Sequence, residues 1–297
     1  MKSEGQDDGA RHWTFADCRA WIAVPGPDDD KYTRGVLGVV TGSDEYPGAA
    51  VLGVEAASRT GVGMVRYVGD DVPARVVLQR RPETVTAFGR VQAWLLGSGM
   101  DASHRDASNE ERLRSALEQQ VPAVVDAGAL DLIASAAGPV VITPHYRELA
   151  RVLADHGVTA SAEEIAKDAH GWAARTADLT GATVLLKGHV THVAAPQGDV
   201  IDVSTGPHAG WLATAGSGDV LGGVLGALVA THSAEIARDG HQALAALAAT
   251  AAALHGAAAV AASRLHGGGP IMALDIAEAM PAVVGDVAAG RDGGTDA

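Results

Sequence analysis

The segment "AGSGD" at residues 215–219 places one carboxylate directly after two glycines and ahead of a long apolar run. Gly216 and Gly218 let the backbone bend so that amide N–H groups point inward where a helix begins, which favours binding of a phosphate or a developing anion. Asp219 beside such amides has the chemistry of a general base that removes a proton from a hydroxyl as it attacks phosphorus. An acid in the first turn of a helix also complements the helix dipole, and the segment alone leaves that alternative open.

Predicted strands and helices, which must position this segment, alternate along the chain. Short apolar runs typical of buried strands occur at 35–42, 62–68, 93–97, 122–127, 139–143 and 183–188, and helical patterns occur at 47–61, 108–119, 146–155, 161–179 and 218–230. This alternation predicts an α/β fold whose mostly parallel sheet is covered by helices on both faces. After residue 188, two extended runs around a "PQGD" turn predict a hairpin at the edge of the sheet.

Several other polar segments follow the predicted strands and are expected to meet the 215–219 segment. Ligands of open parallel sheets bind beyond the carboxyl ends of the strands. The segments at these ends are "TGSDEYPGAA" (41–50), "GSGMD" (97–101), "DAGALD" (126–131), "TPHYRE" (143–148) and "KGHVT" (187–191). The sequence therefore predicts one ligand-binding edge built from five loops and the start of a helix.

Composition narrows the class of protein. The 297 residues carry a formal net charge of −14, which argues against a nucleic-acid partner because such affinity depends on lysine and arginine. Cys18 is the only cysteine, so neither an intrachain disulfide nor a cysteine metal cluster can form, and cytoplasm is the expected compartment. No secretory signal is visible at the start. Residues 243–262 are long and apolar enough for a membrane span, but alanine dominates them, and a buried helix is predicted instead.

Over roughly residues 29–230, the motifs resemble those of the ADP-dependent NAD(P)H-hydrate dehydratases and occur in the same order as in that family. Members of the family have the ribokinase-like fold. "GSGD" alone would indicate only the wider superfamily of small-molecule kinases, whereas "TPHYRE" together with "YPGAA" narrows the resemblance to the dehydratases. The resemblance implies a three-layer αβα domain over residues 29–285, with a partly flexible segment at 1–28 and a flexible tail at 286–297. It also implies cofactor repair: the C6-hydrated form of NADH or NADPH is dehydrated at the expense of ADP, giving AMP and phosphate through a transient phosphate ester.

The resemblance assigns roles to individual residues. It makes Asp219 the base that activates the substrate hydroxyl, and the amides around Gly216, Ser217 and Gly218 the site of the transferring phosphoryl group. It places Mg²⁺ at Glu148. The nucleotide-binding residues implied are Lys187, Gly188, His189, Val190, Thr191, Ala215 and Gly218, and the substrate-binding residues are Tyr46, Gly48, Ala49, Gly99, Asp126, His145 and Asp219.

Each of these assignments has a plainer alternative from the residues alone. Lys187 fits a surface lysine at the end of a strand, His145 fits a hydrogen-bonded structural histidine, and Glu148 fits a solvated helix residue. Any one of the glycines fits an ordinary turn.

Four positions depart from the family pattern. Ser98 and Asp101 stand where the family usually has proline and glycine, which loosens or recharges that loop. Gly128 stands where an aspartate is common, so a contact from that second carboxylate is lost. Ser217 replaces a threonine and keeps the hydroxyl.

Two rival functions remain open from the sequence. The nearer is a ribokinase-like kinase of a vitamin-precursor alcohol, which would share Asp219 but release a stable phosphate ester. The other is a noncatalytic nucleotide-binding or interaction protein, which an intact Asp219 weighs against. The resemblance also implies a homo-oligomer, possibly a tetramer. Since about 28 residues precede the match, the epimerase domain found in many relatives is expected as a separate chain.

Overall fold

The computed structural model describes residues 11–204 and 207–291, with only the backbone described at 207–209. The first ten residues and the end of the predicted tail, 292–297, lie outside the described part. Within it, nine strands form a single sheet in the order β1-β9-β8-β7-β6-β5-β4-β2-β3. The strands are β1 (Arg11–His12), β2 (Val36–Val40), β3 (Met64–Tyr67), β4 (Ala93–Leu96), β5 (Ala123–Val125), β6 (Val140–Ile142), β7 (Thr183–Leu186), β8 (Val190–Ala194) and β9 (Val200–Ser204).

Only β8 runs against its neighbours among the described strands, and every other pairing is parallel. The α-helices are α1 (Phe15–Arg19), α2 (Pro47–Thr60), α3 (Asp71–Arg80), α4 (Ala107–Leu117), α5 (Tyr146–Asp155), α6 (Ala162–Lys167), α7 (Ala169–Thr180), α8 (Ser217–Thr231), α9 (Ser233–Asp239), α10 (His241–Leu265) and α11 (Ala273–Ala288). Two 3₁₀ helices span Ala127–Ser135 and Pro207–Leu212.

The sheet separates two apolar layers because successive residues of each strand point to opposite faces. In β4, for example, Leu95 packs with α2, α8, α10 and α11 on one face, whereas Leu96 packs with α4, α5 and α7 on the other. The predicted three-layer αβα architecture is therefore confirmed.

The alanine- and glycine-rich helices lie unusually close on the first face. A Cβ atom at Gly223 of α8 would lie 2.2 Å from the carbonyl oxygen of Gly53 in α2, so the two backbones touch there. Gly53 also lies beside the first turn of α8, since its own Cβ would be 3.6 Å from the Asp219 carbonyl oxygen. Aromatic residues make up only 4% of the chain, and its small helix residues instead allow direct contact between helix backbones.

Several elements differ from the sequence-based expectation. The predicted helix at 161–179 is broken into α6 and α7 at Asp168, whose carboxylate caps α7 by accepting from Gly171 N. The predicted hairpin is present as β8 and β9, but it is not at the edge, because β1 pairs with β9 outside it. Residues 11–19 therefore join the fold although they precede the predicted domain start at residue 29. Helices α3 and α11 were not predicted, and α11 continues past residue 285.

One helix of the described chain, α10, is long and apolar enough to cross a membrane, with a mean hydropathy of 1.7 over its best window. Helices α8 and α9 pass the same test only as a pair, which is bent by 76°. The apolar window of α10 is entirely buried inside the protein. The helix occupies the core position that its composition predicted.

A buried carboxylate ties α2 to α3. Glu55 of α2 is completely buried and binds three guanidinium groups, those of Arg59, Arg80 and Arg81. Burial alone would raise the pKa of Glu55, but the hydrogen bonds from the arginines outweigh it and lower the pKa to about 2. Arg80 also binds Glu278 at 2.8 Å, which extends the network to α11.

We expect Glu55→Gln to lower the free energy of unfolding at pH 7 by about 3 kcal/mol, since removing one partner of a buried ion pair leaves the others unpaired. Because the folded pKa lies below the usual value of 4.5, the stabilisation from Glu55 is fully present above that value and is lost as the pH falls towards 2. Urea unfolding at pH 7 and pH 3 measures both effects. An equal deficit of the variant at the two pH values would contradict this account.

Candidate functional site

The predicted ligand-binding edge contains a lysine held between carboxylates. Lys187 follows β7, and its Nζ lies 3.0 Å from Asp126 Oδ1 and 3.8 Å from Glu148 Oε2. Burial works to lower the pKa of Lys187, but Asp126 and Glu148 outweigh it, and the pKa is raised. The side chain thus carries a fixed positive charge at the site. Its contacts exclude the alternative of a plain surface lysine.

Asp219 lies in the first turn of α8 and is hydrogen-bonded by Ser98. Ser98 Oγ, directly after β4, donates to Asp219 Oδ1. Burial is the main cause that raises the pKa of Asp219, and Asp126 adds to it, while the Ser98 hydrogen bond and the charge of Lys187 work in the opposite direction. A carboxylate with a raised pKa holds a proton more readily once it has accepted one, which suits a general base.

The start of α8 requires a glycine. Gly216 has a φ of 85°, and a Cβ there would lie 2.4 Å from Leu52 Cδ1. The first amides of a helix have no partner one turn earlier, so they are available to an anion. Ser217 N is the exception, because it donates to Thr214 O at 3.3 Å. The amides of Gly216 and Gly218 are therefore the ones left available for the predicted anion.

His145 and Glu148 are joined in a reciprocal cap at the start of α5. Glu148 N donates to His145 Nδ1 at 3.2 Å, and His145 N donates to Glu148 Oε2 at 2.8 Å. Lys187 N donates to Pro144 O at 2.9 Å, which fixes this cap beside the end of β7. The cap gives both side chains a structural role in addition to the predicted one.

One cavity of about 640 Å³, called here the α8 cavity, opens in front of the helix start. Seven residues predicted for the site line it. They are His145, Lys187, Gly188, His189, Thr191 and Gly218, together with Ser217. Val190 and Ala215, also predicted for the nucleotide site, do not line it.

A second cavity of about 550 Å³, called here the Tyr46 cavity, lies on the other side of Lys187. Tyr46, Gly99 and Glu148 line it, and Tyr46 is 57% exposed. A Cβ at Gly99 would lie 2.2 Å from Ala49 Cβ, so α2 approaches this loop closely. Gly48 is on the same helix turn but contacts neither cavity. Asp126 binds Lys187 Nζ but lines neither cavity.

Asp219 connects the loops that line the two cavities, although it lines neither of them itself. Its neighbours Ser217 and Gly218 line the α8 cavity, whereas Gly99, next to its partner Ser98, lines the Tyr46 cavity. Groups bound in the two cavities would therefore both lie near the partly buried Asp219 and Lys187. This arrangement suits the transfer of a phosphoryl group between two ligands.

His255 is a site residue that the sequence reasoning missed. It lies in α10, is 5% exposed, lines the α8 cavity and has its Nε2 3.4 Å from Ser217 Oγ. Burial lowers the pKa of His255 to about 4, so the imidazole is neutral. The available signal was a lone histidine within a long alanine-rich segment.

The departures from the family pattern have distinct structural roles. Ser98 contacts the proposed base directly, which the sequence did not show. Asp101 stays at the surface, where its Oδ1 accepts from Ser103 N at 2.9 Å. Gly128 is required by packing, since a Cβ would lie 2.6 Å from the Met100 carbonyl oxygen.

Comparison with known proteins agrees with this geometry. Residues 37–282 match the family model described as NAD(P)H-hydrate dehydratase. The chain belongs to the NAD(P)H-hydrate dehydratase family. The resemblance inferred from the sequence motifs is thereby confirmed.

Named members of the dehydratase family differ in length. The chain is 44% identical over 227 residues to the bifunctional NAD(P)H-hydrate repair enzyme Nnr of Mycobacterium leprae, covering 72% of this chain and 45% of that protein. It is 34% identical to the ADP-dependent (S)-NAD(P)H-hydrate dehydratase of Neisseria meningitidis, covering 68% of this chain and 72% of that one. The chain thus spans about half the length of its bifunctional relatives.

Solved structures of the dehydratase family share the fold. The ADP/ATP-dependent NAD(P)H-hydrate dehydratase of Bacillus subtilis, co-crystallised with ATP and Mg²⁺, has a TM-score of 0.79 and 25% identity, covering 94% of this chain and 99% of that one. A ribokinase-like superfamily protein of Enterococcus faecalis has the same TM-score at 21% identity, covering 97% and 99%. The predicted ribokinase-like fold is confirmed.

Proposed function

We propose that the chain is an ADP-dependent (S)-NAD(P)H-hydrate dehydratase that restores NADH or NADPH from the C6-hydrated form. The observation that carries the proposal is that Asp219, in the first turn of α8 and near the partly buried Lys187, connects the loops that line the two cavities. The activities named for the Neisseria and Bacillus relatives support both the reaction and the use of ADP.

In the first step, ADP binds in the α8 cavity with its terminal phosphoryl group at the start of α8 and beside Lys187. The hydrated nicotinamide binds in the Tyr46 cavity with its C6 hydroxyl at Asp219. Asp219 takes the hydroxyl proton as that oxygen attacks the terminal phosphorus, and the bond from phosphorus to the AMP oxygen breaks. Lys187 and the helix amides stabilise the charge on the transferring group.

In the second step, the ring nitrogen of the substrate donates its lone pair as phosphate leaves C6. Loss of a proton from the neighbouring ring carbon then forms the double bond of the dihydronicotinamide. Phosphate replaces hydroxide as the leaving group, which is the purpose of consuming ADP. The products are NAD(P)H, AMP and phosphate.

Mg²⁺ fits this site through its carboxylate oxygens. Hard oxygen ligands are those that Mg²⁺ prefers, and Glu148 offers them at the edge of the Tyr46 cavity, 3.8 Å from Lys187. Because Glu148 Oε2 already accepts from His145 N, we propose that Glu148 holds the ion through water. A bound Mg²⁺ would neutralise phosphate charge during transfer.

The test is recovery of absorbance at 340 nm when purified protein is mixed with hydrated NADH, Mg²⁺ and either ADP or ATP. We expect recovery that depends on nucleotide and is fastest with ADP, with one AMP formed per NADH. No recovery with either nucleotide would overturn the proposal. A stable phosphate ester formed from a small alcohol under the same conditions would instead support the rival kinase function.

Ser98→Ala offers a second measurement on the same reaction. The Ser98 hydrogen bond lowers the pKa of Asp219, so its removal raises that pKa further. A general base works only when ionised, and we therefore expect the acidic limb of the kcat profile to move to higher pH. An unshifted limb in the variant would contradict Asp219 as the titrating base.

Three features stay predictions. They are a cytoplasmic location, assembly as a homo-oligomer, and functional linkage to an epimerase. Cys18 is buried and burial raises its pKa to about 11, which agrees with an unreactive thiol in a reducing compartment. Sedimentation of the purified protein tests the oligomeric state.

A further inference from the structure

A cluster of two histidines and one aspartate lies away from both cavities. His192 of β8 and Asp202 of β9 are paired in register across the antiparallel ladder, so their side chains share one face of the sheet. Helix α7 packs over that face and contributes His170 from its first turn. One ligand atom from each of the three residues lies within 4.8 Å of the other two.

The hydrogen bonds of the cluster leave one nitrogen unsatisfied. His192 Nδ1 donates to Asp202 Oδ1 at 2.7 Å, and His170 Nδ1 lies 3.4 Å from the same oxygen. His170 Nδ1 is buried and has no hydrogen-bond partner, although the rest of the side chain is partly exposed. A buried polar atom without a partner is uncommon and calls for an explanation.

A metal ion between the three residues would account for the unsatisfied nitrogen. It would replace the 2.7 Å hydrogen bond between His192 Nδ1 and Asp202 Oδ1, whose atoms would move apart by about 0.7 Å to the spacing of tetrahedral ligands. Two imidazole nitrogens and a carboxylate oxygen are ligands that Zn²⁺ and related divalent ions prefer. Ligand atoms about 2.1 Å from one tetrahedral ion are about 3.4 Å apart, which is close to the separation of His170 Nδ1 from Asp202 Oδ1. The sheet register and the helix start therefore already hold the ligands near binding geometry.

We propose that His170, His192 and Asp202 bind one divalent transition-metal ion, with Zn²⁺ as the ion that fits best. The ion connects α7 to the β8–β9 hairpin, and water occupies the position left open on the exposed side of His170. The site lies next to the α8 cavity along the chain, because Thr191, the residue before His192, lines that cavity. Metal binding would thus fix the strand that carries Thr191. The proposal does not depend on the proposed function.

The test uses the full chain without a histidine tag, dialysed first against a chelator and then titrated with Co²⁺ or Zn²⁺. We expect one Co²⁺ per chain with visible d–d absorption, displacement of Co²⁺ by Zn²⁺, and a Tm that rises by roughly 5 °C at Zn²⁺ concentrations 100 times Kd. We expect His170→Ala to weaken Zn²⁺ binding by more than about 100-fold, beyond the effect typical of changes outside the ligand set.

Two further variants separate metal binding from folding. Asp202→Asn keeps a hydrogen-bonding partner for His192, so its Tm in chelator is expected to match that of the wild type while its Zn²⁺ affinity falls. His266→Ala is the matched control, since His266 is exposed with Nε2 3.9 Å from Asp275 but belongs to no such cluster. It is expected to bind Zn²⁺ like the wild type. Absence of Co²⁺ or Zn²⁺ binding to the wild type, or equal affinity in His170→Ala and the wild type, would overturn the proposal.

Discussion

Asp219→Asn is expected to reduce kcat for dehydration of hydrated NADH by about 10²–10⁴-fold, the usual contribution of a general base. Asparagine has nearly the same shape and can still accept the Ser98 hydrogen bond, but it cannot take the substrate proton. KM for ADP should change little, because the helix start and Lys187 are unaltered. Initial rates at 340 nm, with ADP varied at saturating hydrate, measure both constants.

The control for this variant is Asp199→Asn, which removes an exposed carboxylate from the turn between β8 and β9. It should retain wild-type activity and the wild-type Tm. If Asp219→Asn kept more than a tenth of wild-type kcat, another group would have to accept the proton and the assignment of Asp219 as the base would be wrong. A Tm equal to the wild type's excludes unfolding as the cause of a loss.

Lys187→Met is expected to have the second large effect on kcat, because it removes a positive charge from the site. The substitution removes the cation that lies 3.0 Å from Asp126 and near Glu148, so three carboxylates, including Asp219, are left without it. Loss of one group that stabilises the transition state typically costs about 10²–10³-fold in kcat. We also expect weaker ADP binding, since the phosphates lose their positive partner in the α8 cavity.

The pH profile separates these roles of Lys187 from a purely structural one. Its charge lowers the pKa of Asp219, so the acidic limb of kcat for Lys187→Met should move to higher pH. Lys187→Arg keeps the charge and should restore the position of the limb even where its larger head reduces the rate. Lys167→Met, an exposed change at the end of α6, serves as the control. An unshifted limb in Lys187→Met would contradict the electrostatic role.

Much of the fold followed from local patterns in the sequence. The apolar run at 93–97 and the capped pattern at 146–155 each specify an element through residues a few positions apart, and both lie where they were predicted. Strand β1 could not be predicted in this way, because two polar residues form it and only their pairing with β9 makes them a strand. The break at Asp168 was also missed, since it depends on a side chain that caps the following helix.

The site was predictable to the extent that each residue belongs to a motif at the end of a strand. Lys187, His145 and Gly218 were placed together for that reason. The contact between Ser98 and Asp219 joins residues 121 positions apart, and Ser98 was noticed only as a departure from the family pattern. His255 comes from a helix far along the chain and has no motif around it. Its role depends on how α10 packs against α8, which no local pattern encodes.

The backbone contact between Gly53 and Gly223 has a consequence for how the two ligands are aligned. Helix α2 begins next to Tyr46, and Asp219 lies in the first turn of α8, so in the proposed mechanism each helix would position one of the two ligands. Where two helices touch through glycines, no side chain between them can change rotamer and alter their spacing. In the proposed mechanism, the distance between the two bound ligands is therefore set by the contact between α2 and α8. We expect no rearrangement of these helices when the ligands bind.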